Sequence, residues 1–338
     1  MANNLPLTIA VLGSHSALQI LKGAKDEGFK TICICVPARK KFYEMFNLAD
    51  EILTLDSFAN FEKIEDELIQ KKAILIPHGS LIEYLGIEKI ERLRIPHYGT
   101  RKILKWEADR QKQREWLEKA GLNLPKIFHK PEDINQSVII KFHGAAGGRG
   151  YFLANSPKDF YKKIKKHPNE KDYVIQEYIV GVPVYAHYFY SQVKKELEIM
   201  GFDKRYESNA DSIGRVAAND QITADIQTSY TIIGNIPMTV RESLLPKLLE
   251  MGQQVVNVSQ KLEPPGLFGP FCLEMIIDHN LKITVFEISA RIVAGTNPFI
   301  NGSPYTWLKY NEPMSTGRRI ARDIKEALQK NCVEKILG

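Results

Sequence analysis

The sequence predicts an α/β domain with a parallel sheet at its N-terminus, followed by a longer α+β region built on antiparallel strands. Three observations predict it. Short apolar runs alternate with helical patterns from residue 7 to residue 98, the alternation that makes a parallel, doubly wound sheet. A glycine-rich loop over residues 144–150 joins two extended stretches, Val138-Ile139-Ile140 and Tyr151-Phe152-Leu153, as in a hairpin with a long tip. Two late apolar runs, 271–277 and 282–288, each carry one glutamate and flank a turn at 278–280.

Within the first region the strand candidates are 8–12, 31–36, 51–55 and 73–76, separated by helical patterns at 17–26, 42–46 and 61–71. In such sheets ligands collect outside the carboxyl ends of the strands. Gly13-Ser14-His15-Ser16 follows the first strand and Pro77-His78-Gly79-Ser80 the fourth. A serine alone at either place reads as a helix N-cap. A histidine beside a serine at both strand ends points instead to a binding site, where free N–H groups can receive a phosphate. Pro96-His97-Tyr98-Gly99 marks a boundary, and a long helix is expected over 106–120, stopped by Gly121 and Pro125. The expected domains are 1–100, 101–190 and 191–338.

The remaining chemistry lies in the later region. The apolar strand 138–140 closes on Lys141, and the loop after it brings Gly144, Gly147, Gly148, Arg149 and Gly150. Glycines expose backbone N–H groups to an anion, to which Lys141 and Arg149 add charge. This is not a Walker A loop, which needs Gly-Lys-Ser/Thr opening a helix. Gln176, Glu177, Tyr178 and Ile179 end another apolar strand before Gly181 and Pro183; a polar hinge between strands is a place for an adenine against backbone groups. Asp203, Lys204, Arg205 and Glu207 cluster after a strand-like run, and Asn235 sits between Gly234 and Pro237 in an expected loop. Glu274 and Glu287 each stand alone in an apolar run. On adjacent antiparallel strands they could face one side and hold Mg²⁺.

Composition narrows the classes. Across 338 residues, 44% are hydrophobic and 25% charged, as in an ordinary globular protein of two or three domains. No apolar run reaches the ~18 residues that would span a bilayer, and the N-terminus leads into a strand without a charged n-region. No membrane association or signal peptide is therefore expected, and the expected location is cytoplasmic. Cys33, Cys35, Cys272 and Cys332 form no zinc or redox spacing and read as reduced thiols. The net charge of +6 is mild, and the basic segment 158–166 has the spacing of a solvated helix face. This disfavours nucleic acid as a partner but suits an anionic small substrate.

A lysine-rooted flap, a Gln-Glu hinge and two late strand carboxylates behind an α/β domain together resemble the ATP-grasp ligases. The segments GSHSALQILKGAKDEGF, IPHGS, KFHGAAGGRGYF, GFDKRYESN, GNIPMTVRESLLP, PPGLFGPFCLE and FEISAR narrow the resemblance to the group that formylates AICAR with formate and ATP in archaeal purine (IMP) synthesis. The resemblance implies an ATP-grasp domain of two subdomains, a carbon–nitrogen ligase activity and a formyl phosphate intermediate. It also implies that His15, Ser80 and Asn235 contact AICAR. Lys141 and the flap would hold the ATP phosphates, with Lys141 and Arg291 as catalytic groups. Gln176 to Ile179 would frame the adenine, with Glu207 a further nucleotide contact, and Glu274 and Glu287 would take Mg²⁺ or Mn²⁺. A homo-oligomer, trimer or hexamer, is implied as well. Two alternatives stay open: ligation of another small carboxylate to an amine, and a non-catalytic ATP or purine-nucleotide sensor, which the presence of both carboxylates disfavours.

Overall fold

A computed structural model describes residues 7–142, 151–168, 172–224, 226 and 228–338. The first layer is a four-stranded sheet of β1 (Thr8–Leu12), β2 (Lys30–Cys35), β3 (Glu51–Thr54) and β4 (Ala73–Leu75), in the order β3-β2-β1-β4. All its pairings are parallel. Its crossovers are α1 (Ala17–Asp26), α2 (Pro37–Phe46) and α3 (Glu62–Gln70). Helix α2 begins five residues earlier than its apolar pattern suggests, because Pro37 occupies the first turn, where a fixed φ and a missing N–H cost nothing.

Short helices α4 (Leu81–Leu85) and α5 (Ile87–Arg92) lead to the connecting segment. The single helix expected over 106–120 is in fact two, α6 (Arg101–Ala108) and α7 (Arg110–Lys119). Asp109 breaks it: its backbone is extended and its carboxylate accepts from the Gln111 and Lys112 N–H groups, capping α7.

A second sheet contains β5 (Ile127–Phe128), β6 (Val138–Phe142), β7 (Tyr151–Ala154) and β8 (Tyr173–Glu177), with α8 (Pro157–Ile164) between β7 and β8. Its order is β5-β8-β6-β7 and its pairs are antiparallel. The third sheet is antiparallel and five-stranded: β9 (Val182–Ser191), β10 (Glu196–Asn209), β11 (Tyr230–Met238), β12 (Gly269–Ile277) and β13 (Ile283–Ser289), in the order β11-β10-β9-β12-β13. Helices α9 (Ala210–Ile213), α10 (Ala218–Thr223) and α11 (Leu245–Leu262) interrupt it, and α12 (Pro304–Tyr310) and α13 (Thr316–Gln329) follow. Because β9 pairs with β10 and β12, sheet membership puts 182–191 with the later strands, although a boundary after 190 was expected. Asn235, expected in a loop, lies within β11; Pro237 is tolerated there because β11 is an edge strand.

The five-stranded sheet has two unlike faces. On one, Ala186, Tyr188, Phe202, Phe271 and Leu273 join the main core. Leu248, Met251, Val255 and Val256 of α11 belong to the same core at helical spacing. Trp116 of α7 reaches this layer, its indole N–H donating to the Val255 carbonyl at 3.0 Å. The other face carries the polar residues, and its register aligns Glu287, Glu274, Tyr185 and Asp203 across four strands. Helix α13 covers one end of that face and packs against α1, where Gly23 and Gly317 allow the two backbones to touch.

Candidate active site

Four places bear chemistry: the strand ends of the first sheet, a short segment after β13, the polar face of the five-stranded sheet, and the strand β6 that faces it. At the first, β1 and β4 end side by side, so the two Ser/His clusters meet. Ser80 Oγ and His15 Nδ1 share a hydrogen bond, Ser14 Oγ lies 2.9 Å from the Tyr84 hydroxyl, and Arg39 donates to the Gly13 carbonyl at 2.8 Å. His78 beneath them is fully buried: its Nδ1 accepts from the Ser80 N–H, leaving Nε2–H for the Leu12 carbonyl at 2.9 Å. Burial pushes His78 down to about 3, so it is a neutral brace under His15, whose ring stacks over it. Burial, then the charge of Arg291, also lowers His15. The His15 backbone has φ 37°, a strained value for a non-glycine residue. Asn297 Nδ2 donates to the His15 carbonyl at 3.1 Å.

Arg291 links this pocket to the five-stranded sheet. It follows β13, and His78 and Ile292 form a parallel bridge there. Its guanidinium pairs with the buried Glu107 carboxylate at 2.6 Å, while the Arg291 Nε is buried with no partner among the described residues. Glu107 takes its other bond from the Ala290 N–H at 2.8 Å. The turn that follows, Ala294–Phe299, touches both sides of the site: Thr296 and Asn297 accept bonds from Gln19 of α1, and Gly295 packs against Asp203 and His187 of the large sheet.

On that sheet Glu274 and Glu287 are direct cross-strand partners. Arg205 donates to Glu274 Oε1 at 2.6 Å and lies over the Tyr185 ring at 3.9 Å. Glu274 Oε2 is buried with no partner among the described residues, an arrangement that costs free energy unless something binds there. Glu287 is exposed to solvent but is closely surrounded by protein. That surrounding, then the neighbouring Glu274 charge, raises its carboxyl above the usual range. Lys141, at the end of β6, faces this pair: burial lowers its ammonium and the Glu287 charge partly opposes that, while its Nζ sits 5.8 Å from the centre of the Phe286 ring. No three His, Cys, Asp or Glu side chains gather as a metal nest among the described residues. Two carboxylates, one with a vacant buried oxygen, fit a small dication that takes its other ligands from water and phosphate oxygens.

Gln176 and Glu177, expected in the hinge, still belong to β8, so the hinge begins at Tyr178. The Glu177 and Tyr178 N–H groups are used by the Lys126 and Ser137 carbonyls, whereas the Ile179 N–H has no partner among the described residues. Glu207 is half-buried; burial and then Asp211 raise its carboxyl. Tyr151, Tyr178 and Tyr230 gather nearby, with the Tyr151 and Tyr230 rings 5.3 Å apart. Asn235 donates to Asp203 Oδ2 at 2.7 Å. Gly144, Gly147, Gly148, Arg149 and Gly150 lie outside the described residues.

The structure thus brings His15 to Ser80, Glu274 to Glu287, and Lys141 to that acidic pair. Sequence reasoning missed Arg39, Tyr84, Glu107, His187 and Asn297. Of these, only the lone His187 in the apolar strand VYAHYFYS carried a local signal.

Two family models match the chain: a domain of unknown function (DUF1297) over residues 157–338, and a protein of unknown function (DUF1246) over residues 9–128. The 5-formaminoimidazole-4-carboxamide-1-(beta)-D-ribofuranosyl 5'-monophosphate synthetase of Pyrococcus horikoshii is 53% identical over 336 residues, covering 97% of this chain and 99% of the relative. The protein of the same name from Methanocaldococcus jannaschii is 47% identical over 347 residues, covering 99% and 96%. Among solved structures, an IMP biosynthesis protein PurP from Thermococcus kodakaraensis superimposes with a TM-score of 0.79 at 31% identity, covering 98% of this chain and all of that one. N5-carboxyaminoimidazole synthetase from Staphylococcus aureus, complexed with ADP, shares the fold at a TM-score of 0.64 and 15% identity, covering 87% of this chain and 73% of that one. The chain therefore has the ATP-grasp fold and belongs to the 5-formaminoimidazole-4-carboxamide ribonucleotide synthetase family of ligases.

Proposed function

We propose that this chain joins formate to the 5-amino group of AICAR in IMP biosynthesis, using ATP and passing through formyl phosphate. The observation that carries the reading is the opposition of Lys141 to the Glu274–Glu287 pair, with the His15–Ser80 pocket adjoining through Arg291. Formate does not acylate an amine in water, because oxide is a poor leaving group. Attack of a formate oxygen on the γ-phosphorus releases ADP and makes that oxygen part of a phosphate. The amine nitrogen then attacks the formyl carbon, phosphate departs with the oxygen, and the nitrogen loses a proton.

Lys141 is placed to neutralise charge on the transferred phosphoryl group, and Arg291 to hold the carboxylate that becomes the acyl phosphate. The Ile179 N–H and the neighbouring carbonyls are available to an adenine edge, with Glu207 a further contact to the nucleotide. His15, Ser80 and Asn235 would hold AICAR on the other side, so that the second step is effectively intramolecular. A divalent cation, Mg²⁺ or Mn²⁺, held by Glu274 and Glu287 would supply further neutralisation at the phosphates. A cytoplasmic homo-oligomer, trimer or hexamer, accompanies this reading; Ile232, Ile233 and Ile236, exposed along the edge strand β11, are apolar surface consistent with it. With ¹⁸O-formate, one labelled oxygen should appear in the released phosphate and ADP should accumulate. Unlabelled phosphate accompanying FAICAR formation would rule out the acyl phosphate, and no FAICAR from ATP, formate and AICAR would rule out the reaction.

A further inference from the structure

Asp203 and His187 form a buried polar pair that the proposed reaction does not use. His187 Nε2 lies 2.7 Å from Asp203 Oδ1, and both residues are nearly inaccessible to solvent. The second oxygen, Oδ2, accepts from Asn235 Nδ2 at 2.7 Å. With Asp203 Oδ2 as the acceptor, the nitrogen end of the Asn235 amide is the end that faces it. The nitrogen is turned inward, and the Asn235 carbonyl oxygen is left without a partner among the described residues. Gly295 closes over the pair with no room for a side chain. The two residues after Gly295 bond Gln19 and the His15 carbonyl. The pair therefore packs against a segment that touches both halves of the proposed nucleotide site. The His187 Nδ1 is buried with no partner among the described residues, so the ring is held through Nε2 alone.

We propose that Asp203 and His187 are positioning residues that lock Asn235 with its carbonyl oxygen presented to the nucleotide base. The site consequently selects a base that offers an N–H donor there, a carboxamide or amino group, over one that offers only an acceptor. The inference rests on the placement of the nucleotide against Asn235 proposed above.

The experiment measures KM for AICAR and for ATP in N235A, D203N, the double variant, H187A and H187Q. N235A and D203N should each raise KM for AICAR about tenfold, the size of one lost hydrogen bond, and leave KM for ATP unchanged. The double variant should be no worse than N235A, because Asp203 acts through Asn235. H187Q, whose amide nitrogen can reach the Nε2 position, should retain AICAR affinity that H187A loses. As an arm that needs no folded Asp203 variant, an AICAR analogue with a carboxylate in place of the carboxamide should bind poorly to the wild-type chain, and N235A should narrow that gap. If N235A weakens AICAR while D203N and H187A do not, the positioning role is wrong. Full additivity in the double variant, or equal discrimination between the two nucleotides by wild type and N235A, would overturn it as well. If N235A itself leaves AICAR binding unchanged, the placement of the nucleotide fails instead.

Discussion

The polar face of the five-stranded sheet holds a charged cluster at each end, and the two are completed differently. At the end under α13, Arg319 bonds Glu198 through Nε and Nη2 at 3.1 and 3.0 Å and Asp323 through Nη1 at 3.4 Å. Its guanidinium lies over the Phe189 ring. Asp323 also accepts from the Tyr98 and Ser191 hydroxyls, and Glu198 from Tyr310. At the open end Arg205 satisfies one oxygen of Glu274, the other oxygen is unpartnered, and Glu287 and Lys141 face each other without a hydrogen bond among the described residues. A buried charge left incomplete is unfavourable for the fold. A closed network is a structural tie, and an open one is set for a charged ligand.

The sharpest way to break this contrast is to remove an anchor from the closed end. Arg319→Ala leaves Glu198 and Asp323 buried without their cation and should cost ~3–5 kcal/mol of stability, read as a fall in denaturant midpoint, with turnover per folded molecule retained. An unchanged midpoint would show that the closed network contributes nothing. Lys141→Ala tests the open end: turnover at saturating ATP should fall ~10²–10³-fold while the midpoint stays near wild type, since the lysine's burial opposes its charge. Near-normal turnover would return Lys141 to the status of a strand-end lysine. Glu287→Gln should raise the Mg²⁺ needed for half-maximal turnover, because an amide is a poorer ligand for a hard dication. An unaltered Mg²⁺ dependence would remove Glu287 from the proposed metal site.

The smallest effect near neutrality concerns His78, the neutral brace below the His15–Ser80 pair. Its folded value of about 3 lies below the ordinary 6.5. The unfolded chain therefore binds the proton first, and stability is complete above about pH 6.5 and declines as pH falls towards the folded value. His97, pushed down to about 4 by burial and then by Arg101, adds in the same direction. Urea midpoints measured from pH 7.5 downward should fall, and the slope should be shallower in His78→Gln. Identical slopes would mean that His78 is already protonated, or solvated, in the fold.

Legibility in the sequence followed the range of the interaction that decides each feature. The strands β1, β12 and β13 and helix α1 show their apolar period locally, so their positions were readable. Asp109 looks like one more polar helix residue until its carboxylate is seen on the Gln111 and Lys112 N–H groups. Gly234 and Pro237 argue for a loop, and only the edge position of β11 makes them compatible with a strand. Lys141, Glu274 and Glu287 stood out as single charges inside apolar runs. Glu107 beneath Arg291 and Asn297 against His15 are pairings between distant segments, and neither residue is unusual among its own neighbours.

The contact between α1 and α13 has a consequence for the order in which the protein is made. The strands of the first sheet and α1 emerge early from the ribosome, yet α13 lies some three hundred residues later. The bonds from Arg318, Arg322 and Lys325 to the buried Glu27 close only after nearly the whole chain has been synthesised. Until then the side of α1 that meets α13 has no cover, and contacts of such long sequence separation form slowly. The parallel-sheet domain is thus finished late although its strands are made well before α13, and a nascent chain stalled before α13 carries an exposed α1 face, the kind of surface that chaperones bind.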